Sequence, residues 1–532
     1  MESVGLLPRP DPCAAAAVVS DPGDGDARRG GWRAAFFLVV VGFLERIGFY
    51  GVQGNLMLYL TGPMAMSTAA AATAANAWGG TVLVLTLVGG LAADSRLGRY
   101  RAVLVGSVLY LVSLGMLTVS SMATSPSSAG VVAFFYAALY LLALGQGFHT
   151  PCTEAFGADQ FERDGGVVVD DDDDGAGGGG ARRASRSSYF NWYHFSISWG
   201  YVISTTLLSY VDENVGWTVG FAASWATMVL YLAVFLLGTG TYRRTDQAAI
   251  DGVAAARFFS RNRKDDIACT EQLLETQEEE VDGHGDSKGF FHVTLLPIWL
   301  TSIVFAVAVS QVSTLFTKQS STMERRVGGG GLVVPSAGLQ CLVSFTYITL
   351  LPVYDRMVVP LARRLAGGGI TMLQRVGAGM ATACLAMVVA ALVEARRLRA
   401  ARDAGLVDRP DATVPMGVWW LVPQHVLVGV AEVLAVIGLE EFFYDQVAGE
   451  LRSVGLAVSQ GVMGVGSYAS GALVAAIDWA TARGGGESWF ADDLNRAHLD
   501  YFYWMLAGLT ALEVVVFVYL TQRYNYKNKA NP

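Results

Sequence analysis

The chain has 532 residues, 53% of them hydrophobic and 16% charged, with a formal net charge of −9 and a mean hydropathy of +0.40. Soluble domains average about 25% charged residues, so this composition excludes an ordinary soluble domain and points to a polytopic protein whose surroundings are a lipid bilayer. Much of the acidity lies in two loops, at 170–174 and around Glu275 and Glu278 to Glu280, so the net charge says little about partners, and no nucleic-acid partner is expected.

Residues 1–32 are polar, rich in Pro and Gly, and lack the basic and apolar regions of a cleaved leader; they are expected to form a disordered cytosolic tail. Twelve apolar runs follow, at approximately 33–61, 69–93, 100–122, 130–157, 187–211, 217–240, 289–317, 335–358, 370–395, 415–446, 452–480 and 497–523. Each is long enough to cross a bilayer. The fold expected is therefore an all-α polytopic membrane protein.

The first run carries Gly42-Phe43-Leu44-Glu45-Arg46-Ile47-Gly48-Phe49-Tyr50, and 36–60 holds no charge other than Glu45 and Arg46. A charge at the bilayer centre costs at least ~2.5–3.5 kcal/mol, so such residues line a polar path or pair inside the protein. Arg28, Arg29 and Arg33 precede this run, Arg96, Arg99 and Arg101 follow the second, and Arg182, Arg183 and Arg186 follow the fourth. The connections after runs one, three and five have no Lys or Arg. That asymmetry places both termini in the cytosol. Arg396, Arg397, Arg399, Arg402 and Arg409 oppose it, because they fall in what reads as an outer loop.

Segment 164–186, with its Asp run and four consecutive glycines, reads as disordered low complexity. Within it Arg182-Arg183-Ala184-Ser185 fits what a basophilic kinase reads, in a motif short enough to arise by chance. The charged segment 241–288 divides the chain into a bundle at 33–240 and a second at 289–525, before a short tail at 526–532. The halves echo each other weakly. Asp94, with Arg99 beyond it, closes the second run, and Asp355 with Arg356 closes the eighth. Each aspartate is expected to serve as a latch that breaks when the halves rock.

The five cysteines (Cys13, Cys152, Cys269, Cys341, Cys384) show no metal-ligand spacing and imply neither a disulfide framework nor a zinc site. No HExxH, P-loop or GxSxG is present. An enzyme, an ATP-driven pump and a bound cofactor or metal are therefore not expected.

Gly89-Gly90-Leu91-Ala92-Ala93-Asp94-Ser95-Arg96-Leu97-Gly98-Arg99-Tyr100 resembles the helix 2–3 signature of the major facilitator superfamily. Phe156-Gly157-Ala158-Asp159-Gln160-Phe161, Phe190-Asn191-Trp192-Tyr193, Leu295-Leu296-Pro297-Ile298-Trp299, Phe316-Thr317-Lys318-Gln319, Glu441-Phe442-Phe443-Tyr444-Asp445-Gln446 and Leu499-Asp500-Tyr501-Phe502-Tyr503-Trp504 are similar to strings of the plant nitrate and peptide transporter family. That family is a branch of the proton-coupled oligopeptide transporters, and the resemblance runs from about residue 33 to 525. It implies twelve transmembrane helices in two six-helix bundles around a central cavity, working by alternating access. It further implies a secondary active transporter, proton-coupled, for nitrate, short peptides or another small plant solute. A passive facilitator or a non-transporting sensor on the same scaffold is the alternative, and plasma and vacuolar membranes both fit.

The resemblance also carries site residues. Family members have Glu-x-x-Glu-Arg on helix 1; here the first position is Gly42, leaving Glu45 and Arg46 for proton coupling. Before the helix 4 proline the family has a basic residue where this chain has Thr150. Its partner, the helix 10 glutamate, is matched to Glu441, which is then expected to be buried without a cation and to carry the proton. Arg46, Tyr50, Asn191, Gln311 and Glu441 are the expected substrate contacts. His149 and His425 are weaker candidates, and the position at which some relatives read nitrate with a histidine is Val309.

Overall fold

The computed structural model describes residues 30–93, 97–125, 127–161, 178–243, 295–327, 331, 333–358, 360, 371–409, 412–446, 452–483 and 488–523. The N-terminal tail, Asp94, residues 164–177 and the linker lie outside them, as do the side chains of Ser185 and Asp355. Among the described residues twelve principal helices follow in order. The first six are α1 (Gly31–Gln53), α2 (Thr68–Ala92), α3 (Arg99–Ser121), α4 (Ala129–Asp159), α5 (Gly178–Ile203) and α6 (Trp217–Leu237). The rest are α7 (Leu296–Val309), α8 (Cys341–Val353), α9 (Met372–Asp403), α10 (Val422–Gln446), α11 (Arg452–Ala482) and α12 (Leu499–Gln522). Among the described residues eight helices are long and apolar enough to cross a membrane on that basis alone.

Within the first half α1 packs on α5 and α6, and α4 on α2 and α3; within the second, α9 packs on α10 and α12, and α7 on α11 and α12. The two halves meet along α2 with α11 and along α5 with α8. Large apolar side chains such as Val108, Leu230, Leu237, Leu512 and Val515 point outward, as a lipid-facing surface requires. Attraction between helices in lipid comes from close packing and hydrogen bonds rather than from water exclusion. The α2–α4 contact shows why small residues sit there. A Cβ on Gly89 would lie 2.1 Å from the Gly147 carbonyl oxygen, so only glycine lets the two backbones approach.

Two helices are interrupted. α1 breaks at Gly54 and Asn55 and resumes as Leu56–Thr61; α7 breaks after Val309 and resumes as Leu315–Ser321. Side chains satisfy the freed groups. Gln340 Nε2 donates to the Gly54 carbonyl at 3.1 Å, and Gln311 Nε2 donates to Val307 O at 2.8 Å. Such discontinuous helices occur in transporters where backbone lines a cavity or is buried in protein.

Two expectations need correction. First, α5 begins at Gly178, so residues 178–186 are helical rather than disordered; alanine and arginine there are good helix formers and extend the rod. Second, α9 continues to Asp403, which makes Arg396, Arg397, Arg399 and Arg402 helical rather than loop residues. Arg397 is wholly buried against Glu394, so it is part of the core and not a topogenic charge. The helical fold also contains a small parallel strand pair, β1 (Met323–Glu324) with β2 (Val414–Gly417), joining the connections after α7 and α9.

Candidate functional site

The charged pair on α1 is held inside the first bundle. Glu45 is buried; Tyr110 of α3 donates its hydroxyl to Glu45 Oε1 at 2.6 Å, and Arg46 Nε lies 3.4 Å from Oε2. The Arg46 guanidinium is also 5.8 Å from the Tyr50 ring centre, one turn onward. Tyr50 in turn meets Tyr201 of α5 edge-on at 4.4 Å. A cation beside an aromatic face and a carboxylate is anchored, and the planar fork of a guanidinium has donors to spare for an anion.

Gly42, where the family has its first acid, lies directly against α5. A Cβ there would lie 2.6 Å from Tyr193 Cε2 and 3.3 Å from Ile197. The ring of Tyr193 therefore packs directly on Gly42, and a side chain there would require that ring to shift.

The second bundle contributes Glu432 of α10. It lies in electrostatic reach of Tyr50, Tyr201 and Tyr347, and Tyr50 is also the ring beside Arg46. No hydrogen-bond or ion-pair partner holds it among the described residues. Motif matching passes over this acid, although the sequence carries a signal for it. Glu432 is the one acidic or basic side chain, histidine aside, between Val422 and Leu439 of α10.

Glu441, by contrast, does not fit the expectation of a buried acid without a cation. Its side chain is 50% exposed and lies 3.4 Å from Arg375 of α9, which also reaches the Val433 carbonyl and the Tyr354 ring. The string at 441–446 is the more recognisable part of α10, and the acid that faces the aromatic cluster lies earlier on the same helix.

The remaining candidates separate. Asn191 is exposed and lies about one helical turn before His194, on a face that continues to Ser198 and Tyr201. His194 Nε2 stands 3.9 Å from Glu154 of α4. Gln311 is fully buried in the α7 break, and it donates to Ser470 of α11 at 2.9 Å. Asn76 of α2 donates to the same hydroxyl at 3.1 Å, so Gln311 belongs to a bridge between the bundles rather than to an open cavity wall. His149 is buried between Tyr110 and Tyr231 and bonded to Thr153, and His425 is buried against Phe316. Neither histidine is open to solvent. Val309 is buried as well. Of the expected latches, Arg99 pairs with Asp159 of α4 at 2.5 Å and Arg356 is exposed; Asp94 and the Asp355 side chain lie outside what is described.

Residues 100–282 and 285–490 match the family model described as "PTR2: POT family". The chain is 43% identical over 535 residues to Protein NRT1/PTR FAMILY 5.10 of Arabidopsis thaliana, with 93% of each chain covered. It is 41% identical over 548 residues to Protein NRT1/PTR FAMILY 5.16 of the same plant, with 94% of each covered. Among solved structures it resembles an auto-inhibited POT family peptide transporter, with a TM-score of 0.71 at 19% identity over 94% of this chain and 99% of the other. The in meso structure of the POT family transporter PepTSo follows at a TM-score of 0.68 and 19% identity, covering 93% and 99%. These structures share its fold. By family match, by relatives along nearly its whole length and by architecture, the chain belongs to the POT family, on its plant NRT1/PTR branch, whose members are membrane transporters and not enzymes.

Proposed function

We propose that this protein is a proton-coupled transporter of a small solute bearing an anionic group, working by alternating access between its two bundles. The observation that carries this reading is Glu432, a carboxylate with no cation partner among the described residues, which shares Tyr50 with Arg46 as an electrostatic neighbour. Glu45, Arg46 and Glu432 together carry a net negative charge. A proton taken up by Glu432 removes the repulsion that an incoming anion would meet, and leaves Arg46 to hold it. Proton and anion then enter together. Glu45, tied to Tyr110 and Arg46, orients the guanidinium rather than carrying the proton.

Nitrate and the carboxylate of a short peptide both meet this description. POT family transporters have been solved with 5-aminolevulinic acid and with alafosfalin, and each of those proteins accommodates a small organic molecule. The rival reading, passive transport, draws on Gly42, because the family's first acid is absent from this chain. The placement of arginines supports cytosolic termini, and the membrane is the plasma or the vacuolar one.

The test is uptake of labelled nitrate and of a labelled dipeptide mixture at acidic and at neutral external pH, in cells that display the protein at their surface. Uptake that rises with acidity in the parent and loses that dependence in Glu432→Gln supports the reading. Acid-stimulated uptake that survives Glu432→Gln refutes the role of Glu432, and pH-independent flux in the parent establishes the passive alternative.

A further inference from the structure

Polar bonds between the bundles gather at the end formed by the connections after α1, α5, α7 and α11. Lys318 Nζ donates to Thr61 Oγ1 at 3.2 Å, the Thr68 amide donates to Asp492 at 2.9 Å, and Gln340 joins Gly54 at 3.1 Å. At the centre of this group is Glu213, which follows α5 in the short helix Ser209–Asn214. Its carboxylate accepts the Ser336 amide at 2.6 Å, the Ser336 hydroxyl at 3.1 Å and an Arg325 guanidinium N–H. Among the described residues, Glu213–Arg325 is the ion pair that joins the two bundles.

Each half of this contact is braced within its own bundle. On one side Asp212, the neighbour of Glu213, is buried and takes a hydrogen bond from Asn55 at 2.6 Å, in the break of α1. The short helix is therefore pinned to the first bundle. On the other side Arg325 donates to the Val334 carbonyl at 3.1 Å, and the Val334 amide donates back to Arg325 O at 2.9 Å. The adjoining β1 pairs with β2, which ties this connection to the one after α9. Two rigid pieces thus face each other, and what joins them is polar and close to water: Arg325 is 21% exposed and Glu213 13%. Water can replace such bonds when the pieces part, whereas a large apolar contact would hold them together.

We propose that Glu213, Arg325 and Ser336 form the bolt of a gate, which closes this end of the cavity and releases when the bundles rock open. The assignment rests on the alternating-access reading above. By the placement of arginines, this end faces away from the cytosol. Because the bolt exists only in the closed state, weakening it shifts the population toward the open one.

A native probe lies five residues beyond Ser336 in the chain. Cys341 starts α8, follows Gln340 directly, is partly exposed and lies in electrostatic reach of Tyr201. The experiment uses the full chain with Cys13, Cys152, Cys269 and Cys384 changed to serine. Intact cells displaying it are treated with a membrane-impermeant maleimide, and the rate of Cys341 labelling is read. Glu213→Ala is expected to raise that rate by roughly tenfold, as removal of a charge-assisted contact from one of two states predicts. The exchanged pair Glu213→Arg with Arg325→Glu is expected to bring it back down. Should Glu213→Ala fail to reach the surface, Arg325→Gln gives the same readout. Labelling unchanged in the single variants overturns the bolt, as does an exchanged pair labelled as fast as they are. The readout needs no substrate. Faster labelling without uptake would leave the bolt standing while the transport reading fails, and pH-dependent uptake with unchanged labelling would do the reverse.

Discussion

Arg397 offers the sharpest test of how this protein stays folded, because its charge is entirely inside. Its guanidinium donates to Glu394 from Nε at 2.9 Å and from Nη2 at 2.7 Å, to Asn495 Oδ1 at 2.9 Å and to the Leu494 carbonyl at 2.6 Å. Gln319 donates to the same glutamate at 2.7 Å, so the cluster ties α9 to the second piece of α7 and to the connection before α12. Arg397→Ala removes the cation and leaves Glu394, itself wholly buried, without compensation. Breaking one side of a buried pair costs about 3–5 kcal/mol. At ~2 °C per kcal/mol for a large domain, the melting temperature falls by roughly 6–10 °C. The double change Glu394→Gln with Arg397→Met takes out both charges and should recover most of that loss, since well-packed neutral side chains avoid the desolvation cost. The assay is thermal unfolding of the purified protein in detergent, followed through its tryptophans. An Arg397→Ala protein that melts with the parent, or a double variant that melts below the single one, would refute this reasoning.

Two further outcomes follow from the site. Gly42→Glu, which restores the family's missing acid, should lower the yield of folded protein, because its Cβ meets Tyr193 Cε2 at 2.6 Å; overpacking of this kind costs about 1–3 kcal/mol. Pairing it with Tyr193→Ala should restore the yield, as read by size-exclusion profile. Tyr110→Phe removes the hydroxyl that holds Glu45, a bond to a charged group worth about 1.5–3 kcal/mol. It should slow uptake while leaving surface display intact, and an unchanged rate would show that Glu45 is positioned by Arg46 alone.

The family and the helical membrane fold were legible in the chain, because a bilayer demands long apolar helices and the motifs lie at their ends. Glu45, Arg46 and Tyr50 were legible too, since polar side chains in an otherwise apolar span stand out. The choice between Glu432 and Glu441 was not. Both lie on α10, and which one faces Tyr50 and Tyr201 depends on how that helix is rotated against α5 and α8. Nor could spacing reveal that Tyr193 fills the place beside Gly42, that Gln311 is spent on Ser470, or that Arg397 lies in the core. Glu213 and Arg325 are 112 residues apart and meet across the two halves of the molecule. Composition and periodicity determine which segments enter the membrane, because each segment meets lipid on its own. Which polar groups then pair is decided by the packing of helices distant in sequence, where partners come from the other chain segments and not from neighbours along the helix.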